Sequence, residues 1–289
     1  MKEAYLIRSR ETAADLARST NPLPGFSITL GFTVVYLTAI VLIPIAVLAL
    51  KSLELSWKEL WELATNRRAV AAYELSLGAS LAAAAINALF GSLLAWVLAR
   101  YQFPGRRLLD GLIDFPFALP TAVAGLTLAS LFSVHGWLGQ FLTPLGIKGA
   151  FTPLGVIIAL TFVGLPFSVR TLQPEIQTLD ESVQEAALCL GAGIWRRFLT
   201  VTAPTLLPTV LTGFGLSFAR ALGEYGSIVF ISGNLPFRTE IAPTLIVMRL
   251  DQYDYTGAIA VALVLMIFSF VLLLTLNTLQ GWADKFHEP

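Results

Sequence analysis

Cysteine is nearly absent. Cys189 is the only one in 289 residues, so no intrachain disulfide can form. Histidine is almost as scarce, and His135 and His287 lie too far apart in sequence to suggest a His/Cys metal cluster. Charge is thin as well: Lys, Arg, Asp and Glu make up 13% of the chain, against about 25% in an ordinary soluble domain. The 19 basic residues balance 19 acidic ones, which leaves no basic excess to neutralise phosphates and excludes a nucleic-acid partner on electrostatic grounds. Catalytic signatures are missing too. There is no G-x-x-x-x-G-K-S/T loop to cradle phosphates, no G-x-S-x-G elbow and no H-E-x-x-H pair. The acidic pairs Asp110/Asp114 and Asp251/Asp254 form no convincing catalytic set. The chain therefore reads as a protein with no cofactor, no metal and no chemistry of its own, and any ATP it depends on is spent by another chain.

What fills the sequence instead is apolar surface, at 56% of residues. A helix crosses a bilayer with about 20 mainly apolar residues, and six segments qualify: 29–50, 75–99, 108–134, 153–173, 205–231 and 257–281. The first is too long for a signal-peptide core, so it reads as an uncleaved span. The expected fold is an all-α polytopic membrane protein with six transmembrane helices over 29–282, flanked by cytoplasmic tails at 1–28 and 283–289. Small residues crowd the second segment, "LGASLAAAAINALFGS", as close helix packing in lipid requires. Prolines 116, 120, 166 and 208 suggest kinked helices whose freed carbonyls need protein partners or a wet cavity.

Lysine and arginine set the orientation. With the N-terminus inside, eleven of the 19 fall on inner segments, among them Arg100, Arg106, Arg107, Arg170, Arg196 and Arg197. Seven fall outside, and Arg220 is left within a span. Both termini are then cytoplasmic, and the loop 174–204 is an inner one. The outer stretch 232–256 is expected to carry a short helix near 241–250. Arg220 and Glu224 stand four apart within the fifth segment. An ionisable pair at depth is expensive and points to a purpose, either a self-neutralising packing contact or a cation facing a pathway.

The inner loop is organised. "TLDE" at 178–181 matches a capping box with Thr178 as N-cap, which predicts a helix over Leu179–Leu190. Val183, Ala186, Ala187 and Leu190 give it a shallow apolar face. Gly191 and Gly193 end it, and a second helix from Ile194 leads through Pro204 into the fifth span. A short amphipathic hairpin with small side chains suits a groove on a partner protein.

"EAALCLG", then nine residues, then "VTAP", resembles the EAA loop of ABC-importer permease subunits. Glu185, Ala186, Ala187, Gly191, Val201 and Pro204 fall on that pattern, with Ala203 where leucine is usual. "DFPFALPTAVAGLTL" at 114–128, "LPFSVRTLQP" at 165–174, "FARALGEYGSIVFISGN" at 218–234 and "LDQYDYTGA" at 250–258 resemble the T-type permease of sulfate/thiosulfate importers. The resemblance covers about 25–285. It implies a type I ABC importer fold in the bacterial inner membrane, with the loop as a cytoplasmic coupling helix. The implied partners are a dimer of ABC ATPase subunits, a second permease of the sister W type, a periplasmic sulfate-binding protein and the surrounding lipid. Sulfate or thiosulfate is the implied cargo. A molybdate or other oxyanion permease is the nearest rival; a membrane-embedded enzyme and a non-transport structural membrane protein are the other classes. The orientation has a direct test: a reporter fused after Pro289 should be active only in the cytoplasm, and activity on the other side would reverse the assignment drawn from the arginines.

Overall fold

A computed structural model describes residues 26–285; most of the two expected tails lies outside them. The chain divides into two units, residues 1–54 and 55–289. The described residues of the first form the helix α1 (Phe26–Leu53), widened by a π-turn at Thr38–Leu42. The second holds α2 (Trp57–Ala64), α3 (Arg67–Arg100), α4 (Arg106–Ile113), α5 (Phe115–Ala118), α6 (Thr121–Phe132), α7 (Gly139–Leu142) and α8 (Pro153–Thr178). Next come α9 (Glu181–Cys189) and α10 (Ile194–Leu222), the latter with a π-turn at Phe198–Thr202. α11 (Gly226–Ser232), α12 (Ala242–Asp251) and α13 (Tyr255–Lys285) complete it. No strand occurs among the described residues.

Among the described residues five helices, α1, α3, α8, α10 and α13, are long and apolar enough to cross a membrane. Two of the six expected segments are corrected. Segment 108–134 is not one helix but α4, α5 and α6. Leu119 is extended (φ −84°, ψ 133°) because it precedes Pro120, which itself forms the cap of α6. Segment 205–231 starts earlier and stops sooner than its hydropathy suggests. Its helix, α10, begins at Ile194 and ends at Leu222, and α11 is a separate seven-residue piece. The expected short helix near 241–250 is α12.

The core is the junction of α3, α8 and α10. A Cβ on Gly164 of α8 would lie 2.6 Å from Asn87 Nδ2 on α3 and 2.5 Å from Ser217 Oγ on α10. Asn87 Nδ2 donates to Ser217 Oγ at 2.9 Å, and Ser168 Oγ donates to the Gly213 carbonyl at 3.3 Å. Gly91 faces Ser168 just as Gly164 faces Asn87, so α3 and α8 run parallel; Gly213 faces Ser168 while Gly164 faces Ser217, so α10 runs antiparallel to both. Ala83, Ala84, Asn87, Gly91 and Ala95 are buried along α3. Lipid offers helices no hydrophobic reason to associate, so such close contact does the holding. Toward one end Leu98, Val169, Leu172, Ile176 and Leu206 pack together; toward the other, Ala83, Val156, Leu160, Ala221, Ile228 and Ile231 do.

Two ion clusters fasten the connecting segments. Arg170 on α8 spans Asp114 with Nε at 2.8 Å and Nη2 at 2.6 Å, and its Nη1 meets Asp110 Oδ1 and Gln173 Oε1, each at 2.7 Å. A forked guanidinium is suited to such bidentate pairing, and it pins the broken α4–α5 stretch against α8. Arg170 lies on α8, within the expected segment 153–173. At the far end of the bundle Arg68 grips buried Glu240 at 2.7 and 2.8 Å, and the Ala242 amide donates to Ser76 Oγ at 2.7 Å, which sets α12 beside the start of α3.

Gly164 sits where a side chain has no room, so Gly164→Val should lower the melting temperature in detergent, an overpacking cost of about 1–3 kcal/mol. Gly78→Ala, on the same bundle but with open space around it, should leave the melting temperature unchanged. Equal melting of both would deny the junction its role.

Candidate coupling hairpin and buried charge pair

The hairpin is built by three local devices. α8 ends at Thr178, whose hydroxyl turns back to the carbonyls of Pro174 and Glu175. Thr178 is therefore not the cap that "TLDE" suggested. Asp180, two residues on, accepts the Ser182 amide at 2.8 Å and starts α9. The Ser182 hydroxyl and amide hold the Asp180 carboxyl below its ordinary range, since hydrogen bonds to the charged form favour it.

The other end of α9 is a Schellman turn. The Gly191 amide donates to the Leu188 carbonyl at 2.9 Å and the Ala192 amide to the Ala187 carbonyl at 3.0 Å. Gly191 carries the left-handed conformation this needs (φ +78°). Gly193 does not: it is extended (φ −64°, ψ 167°) and serves as the cap before Ile194. α10 then runs without a break from the hairpin into the core.

The six residues of the motif divide between two elements. Glu185, Ala186 and Ala187 lie on α9 and Gly191 closes it, whereas Val201 and Pro204 lie half-buried in the wall of α10, in and just past its π-turn. Glu185 and Ala186 are exposed, Ala187 half-buried. Glu185 helps line a cavity of about 390 Å³ with Gln184, Arg197 and, from the end of α3, Trp96, Arg100 and Tyr101. Arg100 lies 5.9 Å over the Trp96 ring and donates to the Leu179 carbonyl at 3.5 Å, tying α3 to the entrance of the hairpin. Val183, Leu188 and Leu190 are exposed on the hairpin, Leu190 at 88%, and exposed Ile194 and Trp195 border the cavity next to it.

The second site is the charge pair. Arg220 Nη1 meets Glu224 Oε2 at 2.6 Å, so the expected contact forms. The reason differs from the expected one. Glu224 is not on the same helix, since α10 ends at Leu222 and Gly223 turns the chain. Glu224 Oε1 accepts both the amide and the hydroxyl of Ser227 at 2.9 Å, which caps α11. Glu224 is 2% exposed while Arg220 is 32% exposed. Arg220 stands one turn beyond Ser217, which is level with Asn87 near the middle of α3. It also occupies the last turn of α10, where the helix dipole favours a cation.

Two outcomes test the hairpin. Gly191→Ala forces a left-handed alanine, at about 1–2 kcal/mol, and should fray α9 in hydrogen exchange, while Gly193→Ala should not. The depressed Asp180 carboxyl gives a pH sign: its capping contribution is complete above the ordinary aspartate value and is lost only as pH falls through the lower folded value. Protection of the Ser182 amide should therefore hold from pH 7 to below the usual aspartate range. Asp180→Asn should keep most of that protection, and Asp180→Ala should lose it.

Residues 87–286 match the family described as the binding-protein-dependent transport system inner membrane component. The sulfate transport system permease protein CysT of Synechococcus elongatus is 54% identical over 256 residues, 89% of this chain and 92% of that one. The CysT of Escherichia coli is 46% identical over 91% of this chain and 95% of that one. Among solved structures, a bacterial ABC transporter involved in the import of alginate superposes with a TM-score of 0.69 at 16% identity, covering 96% of this chain and 100% of that chain. A second alginate transporter structure, bound to its periplasmic protein, gives 0.70 at 17% identity, covering 88% of this chain and 92% of that chain. At that identity the likeness speaks for the fold, that of a type I ABC importer permease. The chain is a membrane subunit and not an enzyme, and it belongs to the family of binding-protein-dependent transport system inner membrane components, among the CysT permeases.

Proposed function

We propose that the chain is the T-type permease subunit of an ATP-driven importer of sulfate and thiosulfate. The observation that carries this reading is the identity of 54% and 46%, over nearly the whole chain, to sulfate transport system permeases. Hydrolysis would take place on a dimer of separate ATPase subunits, a periplasmic binding protein would deliver the anion, and the W-type sister would supply the other half of the pathway. With both termini cytoplasmic, the hairpin faces the ATPase. α9 is short, capped at both ends and apolar on its solvent side, the properties of a stiff knob in a socket, and α10 would carry its displacement to the core as a rigid body. The sixth passage would be made by α4–α6 as a broken helix. Its non-helical backbone at Leu119 and Pro120 is half-buried to exposed in the single chain, so a partner subunit or a wet pathway would cover it in the complex.

In this reading Arg220 is the cationic step for the oxyanion, and Glu224 is the residue that holds it. Glu224 spends one oxygen on capping α11 and the other on orienting Arg220, which leaves the exposed edge of the guanidinium for a ligand.

Three experiments test the assignment. A reconstituted complex should take up labelled sulfate with ATP, and unlabelled thiosulfate should compete. Transport of molybdate but not sulfate at comparable concentration would move the chain to the rival class. Glu185→Arg should abolish uptake with the subunit still in the membrane. Arg220→Met with Glu224→Gln should assemble normally and lose uptake at least about tenfold, the worth of one charge-assisted hydrogen bond. Retained uptake would give the pair a packing role, and failed assembly would make it a structural tie.

A further inference from the structure

The cavity at Glu185 is the mouth of a longer slot. A second cavity of about 470 Å³ shares Trp96, Tyr101, Gln184 and Arg197 with it, and a third of about 540 Å³ continues from Leu93, Trp96 and Phe198 between α3, α8 and α10. Trp96 borders all three. The walls change character along the way. At the mouth stand the guanidinium groups of Arg100 and Arg197 and the carboxylate of Glu185, with Trp96, Tyr101 and Trp195 around them. The deep part is apolar, walled by residues such as Leu89, Leu207, Val210 and Phe214.

The depth is informative. From Trp96 to Ala85, the limits of the apolar stretch along α3, is eleven residues, or about 16 Å at about 1.5 Å per residue. One leaflet of a bilayer is half of a hydrocarbon core about 30 Å thick, so the slot is one leaflet deep. Tryptophan and tyrosine rings collect at headgroup level, which is where they ring the mouth. Arg197 adds an unmet demand: its Nε is buried and has no hydrogen-bond partner among the described residues, and a buried donor left unsatisfied is costly.

We propose that this slot binds an anionic phospholipid, with the phosphate on Arg197, the glycerol region among Trp96, Tyr101 and Trp195, and one acyl chain along Leu89, Leu93 and Leu207. Arg197 selects an anionic headgroup, because its buried Nε has no hydrogen-bond partner among the described residues and a phosphate oxygen would supply a charge-assisted one. The same headgroup would touch Gln184 and Glu185, so the lipid would brace α9 from its membrane side while the other side stays free for a partner.

The experiment counts lipid and needs no transport, so it stands apart from the substrate assignment. The full transporter complex is extracted from membranes containing phosphatidylglycerol and phosphatidylethanolamine, purified in detergent, and its retained lipid measured by native mass spectrometry. Phosphatidylglycerol should be enriched over phosphatidylethanolamine. Arg197→Gln should lower the retained phosphatidylglycerol about fivefold, the effect of losing one arginine's attraction at a membrane surface. Ala85→Phe, at the exposed deep end of the slot, should also lower it, while Arg196→Gln, on the neighbouring exposed arginine, should not. Equal retention of both lipids, or no change in Arg197→Gln and Ala85→Phe, would overturn the proposal. So would a disulfide cross-link from Leu89→Cys to a helix of the second permease, because that helix would then fill the slot.

Discussion

Asn87, Gly164 and Ser217 touch at one point, and the bundle is arranged around it. In lipid no water competes for backbone groups and no hydrophobic force draws helices together. Stability at such a junction comes from proximity and from the hydrogen bonds that proximity permits. Three helices can meet there only because the middle one carries no side chain. From that contact the directions of α3, α8 and α10 follow, and with them the placing of both candidate sites: the hairpin emerges where α8 ends and α10 begins, and Arg220 sits one turn past Ser217 on α10.

Charge is used sparingly and mostly where a helix is interrupted. Arg170 stands across the break between α4 and α5, and Glu224 fills the gap between α10 and α11. A broken helix leaves amides and carbonyls without partners, and a carboxylate at the next helix start answers part of that need. The few ions in this apolar chain therefore serve the irregular backbone before they serve anything else. That is why Glu224 is nearly inaccessible while the arginine it holds is not.

Much of this was readable beforehand, for identifiable reasons. Long apolar runs announce themselves by composition, and the hairpin was legible because its glycine stop and small-residue face are local. What failed was local competition and distance. Thr178 and Asp180 are both good caps, and only the C-terminal extent of α8 decides between them. Hydropathy continues smoothly from α10 into α11, so it hides the turn at Gly223. The backbone effect of Pro120 on Leu119 was available in principle, yet a window of apolar residues outweighs one proline. The clamp on Arg170 joins residues 56 and 60 positions apart, and no periodic pattern encodes that.

The π-turn in α10 makes the spacing of the hairpin motif intelligible as gearing. An α-helix advances about 100° per residue, and a five-residue turn at Phe198–Thr202 takes up one residue without lengthening the shaft in proportion. The nine residues between Gly191 and Val201 therefore fix an angle as well as a length. One residue more or fewer would leave the hairpin intact and the core intact, but it would turn one about 100° against the other, so that the same exposed face would point in another direction.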